Sequence, residues 1–489
     1  MNWHTILLYI YIFIIVSTIL TVLLENRNPL KALSWVTILV LLPGVGFVLY
    51  LMVGKDTRRH RIISKRSYER IMQSATPEAP IGVVSEPNDL IREHQRLKEM
   101  ILQQTSNSVM EADNLELFTA GKEKLEALIA DIKSAKHHIH IQYYIIRDDK
   151  TGTQLQEALI EKAQEGIEVR VLYDHVGSFN TSKAYFREMR AAGIEVYPIL
   201  EVVFPALTSK INYRNHRKIV VIDGSIGYVG GMNIADHYTY GNKLGKWRDT
   251  HARITGRAVN ALQAAFMTDW YVASRKVLPK SFFYNSIIGG GSTLSYDSSR
   301  VRSCIDHNVM MQTFTSGPTG SFRILQQVLC RAIYEAKRSV RIQTPYFLPP
   351  ESLYKAIAGA ALAGVKVELM LPRSSDILGV NAAARSYFDN MLKAGVHIYL
   401  YQEGFLHAKV VTIDEKLSII GSANMDFRSM EHNFEITSLL YDRECTSMLN
   451  RCFEQDLNNS TELYYEDWKQ RPLIKRLWES ALRLFAPLM

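Results

Sequence analysis

His216-Arg217-Lys218-Ile219-Val220-Val221-Ile222-Asp223, followed by Gly230-Gly231-Met232-Asn233, is the stretch that decides how this chain folds, because it occurs twice. His407-Ala408-Lys409-Val410-Val411-Thr412-Ile413-Asp414 leads at the same spacing to Gly421-Ser422-Ala423-Asn424. Both copies have the form H-x-K-x4-D-x6-G-[GS]-x-N. Six constrained positions at about 5% each make a chance match on the order of 10⁻⁸ per starting point. Two copies at corresponding places remove chance as an explanation.

Other segments repeat around the motifs, roughly 200 residues apart. Ala135–Gln142 matches Ala336–Gln343, Gly166–Leu172 matches Gly364–Met370, and Ala192–Tyr197 matches Ala394–Tyr399. Each piece is a short β-branched run, and the residues between them carry helical periodicity. Strand–helix–strand alternation predicts an α/β fold with parallel or mixed sheets, and its duplication predicts two tandem α/β domains facing each other about a pseudo-twofold axis. We place the first domain at 113–275, a Gly/Ser-containing linker at 276–315 and the second domain at 316–489. The linker is richest in Gly and Ser from Ser286 to Ser303. An insertion of about eleven residues near Leu200–Asn215 precedes the first motif, where it would shape the way into the site or form a neutral surface loop.

Thr5–Leu24 contains no charged residue and is long enough to cross about 30 Å of hydrocarbon as a helix. A second uncharged run, Ala32–Val53, follows a short polar loop, with Pro43, Gly44 and Gly46 predicting a kink. Residues 1–56 therefore read as a transmembrane hairpin with spans at 5–24 and 32–53. Residues 57–112 read as a basic tether and a linker helix, the helical pattern running from Leu90 to Gln104. Arg27 and Lys31 in the loop oppose Lys55, Arg58, Arg59, Arg61, Lys65, Arg66 and Arg70 after the second run. That bias puts the long C-terminal part in the cytoplasm. The formal net charge of +8 favours an anionic partner, lipid surface or nucleic acid. Cys304, Cys330, Cys445 and Cys452 show no zinc spacing and read as reduced, buried residues.

The chemistry follows from the motif. His and Lys two apart on a strand share a face, so one imidazole and one ammonium from each half would converge between the halves. Two lysines in one site disfavour a metal cation and suit a phosphate, whose oxygens accept their hydrogen bonds. No cofactor and no metal are expected. One histidine would attack phosphorus while the other protonates the leaving alkoxide and later deprotonates the incoming alcohol or water. The predicted catalytic set is His216, Lys218, Asp223, His407, Lys409 and Asp414. Asp223 and Asp414 stand either beside substrate or, ending an apolar strand, as orienters of the loop and lysine. Asn233 and Asn424 would add amide donors, Gly230, Gly231 and Gly421 would allow close backbone approach, and Ser422 stands with them as a supporting residue. Asp249 and Glu435 are the candidates to hold the far nitrogens of the imidazoles. His137, His138 and His140 align with Arg338, Ser339 and Arg341, which argues against a shared role. Tyr143, Tyr144 and Tyr346 would line a lipid path or fill the core.

These motifs resemble those of the phospholipase D superfamily. Glu25-Asn26-Arg27-Asn28-Pro29, Trp35, Pro43-Gly44-x-Gly46 and Tyr50 are similar to the N-terminal segment of bacterial cardiolipin synthases, as are Ser316-Gly317-Pro318 and Thr344–Pro350. The resemblance implies that one phosphatidylglycerol donates its phosphatidyl group to a second, yielding cardiolipin and glycerol at the bacterial inner membrane. It also implies that His216 attacks and His407 serves as acid and base. Gly231 departs from the family, which commonly has Ser there. A hydrolytic phospholipase D and a membrane-tethered nuclease are the rival readings. The hairpin and the lack of aromatic-basic interleaving speak against nucleic acid. Leu473, Ile474, Leu477, Trp478, Ala481, Leu482 and Phe485 share one face of a C-terminal helix, which reads as interfacial or as docked on the second domain. Oligomeric state is not legible.

Overall fold

A computed structural model of the chain describes residues 3–25, 29–50, 88–201, 213–278, 304–320 and 322–486. The basic stretch, the Gly/Ser-rich linker and most of the insertion before the first motif lie outside the described residues.

Each half of the soluble part builds a mixed sheet, and strand order is the same in both. The first sheet runs from edge to edge through Cys304–Ile305, Leu115–Ala120, Lys246–Thr255, Ile226–Gly230, Ile219–Ile222, His138–Tyr143, Glu168–Asp174 and Glu195–Ile199. The second runs through Met110–Ala112, Val309–Ser316, Asn433–Leu440, Leu417–Gly421, Val410–Ile413, Ser339–Gln343, Lys366–Pro372 and His397–Tyr401, and adds Ser460–Leu463 at its far edge. The matched sequence pieces are the parallel strands, joined by the crossover helices Lys150–Gln164 and Glu351–Leu362. The edge strands are exchanged. Met110–Ala112 pairs with Val309–Met311 of the second sheet, and Cys304–Ile305 pairs with Leu115–Glu116 of the first.

Period-two alternation in the motif strands packs the two sheets together. Ile219 and Val221 enter an apolar cluster shared with Val410, Ile420 and Ile436 of the second half. Their neighbours Val220 and Ile222 face the outer layer of the first unit. The shared cluster is continuous between the two units, so burial of apolar area holds the halves in one arrangement.

Two short strands cross between the units and set the site. Arg214–Asn215 pairs in parallel with Asn433–Phe434 of the second sheet, and Gly404–Leu406 pairs in parallel with Lys246–Arg248 of the first. Each crossing strand leads straight into a motif histidine.

At the N-terminus, helix Trp3–Glu25 packs on helices Pro29–Leu41 and Pro43–Leu49 through Val22, Ala32, Leu39 and Tyr50. Among the described residues, Trp3–Leu24 is the one helix both long and apolar enough to cross a bilayer. The second run breaks at Leu42 because Pro43 cannot continue the first helix. The end of that predicted span, beyond Tyr50, lies outside the described residues. Ser17, Thr18, Thr21 and Thr37 return their hydroxyls to carbonyls of their own helices, so these four donors are paired. Helices Asp89–Glu93 and Gln95–Thr105 fall within the expected linker-helix region and bury Leu90, Ile91, Leu97 and Ile101 in the second unit's core.

Helix Leu473–Arg483 docks on the second unit, the second of the two readings from sequence. Glu479 is buried and held by Arg471 at 2.8 Å, and Leu482 packs on the second unit. Leu473, Ile474, Leu477 and Trp478 are 60–79% exposed. The helix docks by one edge and turns its apolar face outward. All four cysteines are free, and Cys445 alone among them is fully buried.

Candidate active site

The two crossing strands bring His216 and His407 to the walls of one cleft of about 400 Å³ between the units. The His216 amide donates to Phe434 O at 2.9 Å, and the His407 amide donates to Arg248 O at 2.7 Å. Each histidine is thus pinned by the backbone of the other half.

Their side chains are pinned the same way. Glu435 of the second half accepts from His216 Nδ1 at 3.0 Å, and Asp249 of the first half accepts from His407 Nδ1 at 2.6 Å. Both predicted orienting carboxylates are therefore in place, each serving the histidine of the opposite half. A carboxylate on Nδ1 fixes that nitrogen as the donor and leaves Nε2 with its lone pair. Burial would raise the Glu435 carboxyl, but His216, Lys218 and Ser422 outweigh it and bring it down to about 2. Asp249 is likewise buried, and Lys409 and His407 hold it below the usual carboxylate range. Burial pushes both imidazoles down against the pull of their carboxylates, so both are neutral at neutral pH.

The two carboxylates are not equivalent. Ser422 donates to Glu435 Oε2 at 2.5 Å, and Asn433 donates to Oε1 at 3.2 Å. Asp249 instead receives the Thr250 amide at 2.7 Å. A Cβ at Gly231 would lie 2.2 Å from Asp249 Oδ1, so the Ser common at this position in the family could not stand there without moving the carboxylate. The departure at Gly231 makes room for Asp249.

Lys218 and Lys409 are buried behind their histidines, and each ammonium donates to its own histidine's carbonyl oxygen, Lys218 at 2.7 Å. Burial pushes Lys218 down to about 7 and Lys409 to about 8, with the Lys409 charge adding to the shift at Lys218. Asn233 and Asn424 line the cleft. The Asn233 amide is spent on Tyr238 Oη and the Ile145 amide, at 2.7 and 3.1 Å.

Asp223 and Asp414 require a correction as catalytic residues. Asp223 accepts the amides of Lys136, His137 and His138 at 2.8–3.0 Å, and Asp414 those of Lys337, Arg338 and Ser339 at 2.7–2.9 Å. Both clamp the start of the neighbouring parallel strand, the orienting alternative read from sequence. Their carboxylates are saturated by backbone donors, so they do not reach substrate. His138 and His140 are buried in the first unit, where His140 stacks on Phe266 at 4.4 Å, away from the cleft.

Several cleft residues carry no signal in the motif. Arg147, Arg214, Arg428, His237, Tyr238 and Trp247 all line it. Of the tyrosines singled out from sequence, Tyr144 and Tyr346 line it, while Tyr143 is buried and bonded to Lys124. Arg214 stands two residues before His216, and on an extended strand that spacing alone would place it on the same face. Behind the cleft, Arg217 is held by Asp269 at 2.6 Å and donates to Glu435 O at 3.2 Å. Gln142 and Asn215 share the same Asp269 carboxylate. Arg248 of the first half meets Asp456 of the second at 2.9 Å, and Gln343 donates to the same carboxylate at 2.8 Å, so a similar buried network joins the halves.

Comparison with known proteins agrees with the geometry. Residues 128–270 and 329–457 match the family described as cardiolipin synthase, PLD-like domain, and residues 7–55 match the phospholipase D-nuclease N-terminal family. Cardiolipin synthase 2 of Bacillus cereus is 39% identical over 474 residues, covering 96% of this chain and 88% of the relative. Major cardiolipin synthase ClsA of Bacillus subtilis is 37% identical over 501 residues and covers both chains completely. The crystal structure of phosphatidylserine synthase from Haemophilus influenzae is similar in fold, with a TM-score of 0.60 at 15% identity, over 82% of this chain and 100% of that one.

Proposed function

Because the chain belongs to the cardiolipin synthase family of phospholipase-D-like enzymes, we propose that it moves a phosphatidyl group from one phosphatidylglycerol to the free glycerol hydroxyl of another. The products are cardiolipin and glycerol. The observation that carries this reading is the reciprocal pairing of His216 with Glu435 and His407 with Asp249 in one cleft.

His407 takes up a proton on Nε2 as the phosphate anion binds beside it. His216 Nε2 then attacks phosphorus, the P–O bond to the departing glycerol breaks, and His407 Nε2 delivers that proton to the glycerol oxygen. His407 then takes the proton of the acceptor hydroxyl while its oxygen attacks phosphorus and the P–N bond to His216 breaks. Each carboxylate stabilises the imidazolium that forms on its partner. The buried lysines supply positive charge that an anionic phosphate neutralises. Trp247 and Tyr238 pack against His407 with ring centroids at 5.0 and 5.5 Å, an apolar surround that favours a lipid alcohol over bulk water as acceptor.

The protein is a membrane enzyme, and we propose that its helical hairpin crosses twice, leaving the catalytic part on the cytoplasmic face. The charge bias around the hairpin supports that side. The outward Leu473, Ile474, Leu477 and Trp478 support contact of the C-terminal helix with the bilayer. Incubating the purified full chain with phosphatidylglycerol in mixed micelles tests the function. Cardiolipin and glycerol in equal amounts are expected; phosphatidic acid as the sole lipid product would replace this reading with a hydrolase.

A further inference from the structure

The duplicated scaffold would give the cleft two matching walls, yet the walls differ. Arg214 stands two residues before His216, where Phe405 stands before His407. Arg428 follows Asn424 at the spacing by which His237 follows Asn233, and Asn433 precedes Glu435 as Trp247 precedes Asp249. Arg214, Arg428, Asn433, His237 and Trp247 line the cleft, and Phe405 does not. One wall therefore offers two guanidiniums and an amide. The other offers Trp247, backed by the buried Phe405, and His237, which burial and the Arg147 charge push to about 4, leaving it uncharged. Arg147 is the single guanidinium on that side among the described residues.

The two arginines are placed close to the reacting centre and to each other. Arg214 donates to the Tyr213 carbonyl at 2.7 Å and lines the cleft with Tyr144, whose ring meets the His216 ring edge-on at 4.9 Å. Arg428 projects from the short helix Phe427–Glu431, near Asp426 and Asp174, and burial together with the Arg214 charge lowers its proton affinity. Two cations held this close are a recognition site for an anion.

A phosphodiester reacting between two equivalent histidines calls for equivalent surroundings on both sides. Cations concentrated on one side serve a second negative charge. On the functional reading above, such a charge must be present, because the acceptor lipid carries its own phosphate one three-carbon bridge from the reacting phosphorus. Two residues of extended chain separate Arg214 from His216, about 7 Å, which suits that bridge. We propose that Arg214 and Arg428 form a second phosphate subsite, which holds the phosphodiester of the acceptor lipid while the reacting phosphorus lies between His216 and His407. The subsite makes the enzyme prefer an acceptor alcohol that is itself an anion.

A partition experiment on the full-length enzyme tests this. Phosphatidylglycerol in mixed micelles is the donor, and it competes as acceptor with ethanol, so one phosphatidyl-enzyme divides between cardiolipin and phosphatidylethanol. Arg214→Gln and Arg428→Gln are each expected to lower the cardiolipin to phosphatidylethanol ratio by about tenfold or more, with the Lys variants recovering part of it. The ratio is insensitive to the fraction of folded enzyme. A ratio within about twofold of wild type in both Gln variants, or a parallel fall of both products, overturns the subsite. Wild-type enzyme that makes phosphatidylethanol but no cardiolipin would instead sink the functional reading on which the subsite rests.

Discussion

At the scale of single residues, the site depends on two carboxylates that each hold an imidazole from the opposite half. Glu435→Gln and Asp249→Asn keep the shape but lose the charge that fixes the tautomer and stabilises the imidazolium. Each is expected to lower the rate of cardiolipin formation by about 10²–10⁴-fold, with thermal unfolding near that of wild type. Wild-type activity in both variants would show that the carboxylates play no such part. The buried cations give a second expectation. Lys218 sits at about 7 and Lys409 at about 8, so near pH 7–8 both are partly deprotonated. A phosphodiester anion beside them raises their pKa values, as it does those of the neutral histidines, and protons bind as the ligand binds. Calorimetric titration with a non-reactive phosphatidylglycerol analogue, in buffers of different ionisation enthalpy, should therefore show net proton uptake at pH 7.5. Proton release would contradict this electrostatic picture. His216 and His407 were legible in the sequence because the motif is duplicated. Asp223 and Asp414 share that motif but spend their oxygens on backbone amides, a distinction that spacing does not encode. Arg214 and Arg428 belong to no repeated pattern, and the reason lies in function: they mark where the halves differ.

Among the elements, the crossing strands do the positioning. Alternation of apolar residues predicted the motif strands and their burial. The two short crossing strands gave no such signal, since Arg214–Asn215 and Gly404–Leu406 are too brief for any periodicity. Their pairing is a long-range property of the assembled halves. Gly404 shows how narrow the fit is: its φ is +149°, and a Cβ there would lie 2.2 Å from Lys246 O. Gly404→Val should part this strand from Lys246–Arg248, at a cost of about 1–3 kcal/mol, and loosen His407 against Asp249. Urea unfolding and cardiolipin formation measured together would check it, and wild-type values of both would show that the strand is not what places His407. The kink at Pro43 was readable because proline acts locally. The exchange of the Met110–Ala112 and Cys304–Ile305 edge strands was not, because either could extend the nearer sheet.

For the whole molecule, duplication produced two similar sheets, but neither half contains a working centre. Each supplies a histidine to one half-site and a carboxylate to the other, across a shared apolar interface. On the reading proposed above, the N-terminal helices and the outward face of the C-terminal helix would bring the composite cleft to its lipid. The α/β class and the tandem arrangement followed from the repeats, whereas the reciprocal contacts required both halves in three dimensions. The central claim is that this pair of histidines transfers phosphatidyl groups covalently, with His216 attacking. Its most direct test is rapid acid-free quenching of the enzyme during turnover of phosphatidylglycerol radiolabelled at phosphorus, followed by mapping of protein-bound label. The account predicts an acid-labile phosphatidyl adduct on His216, lost in His216→Ala; absence of any bound label during turnover, or label on any other residue, would contradict it.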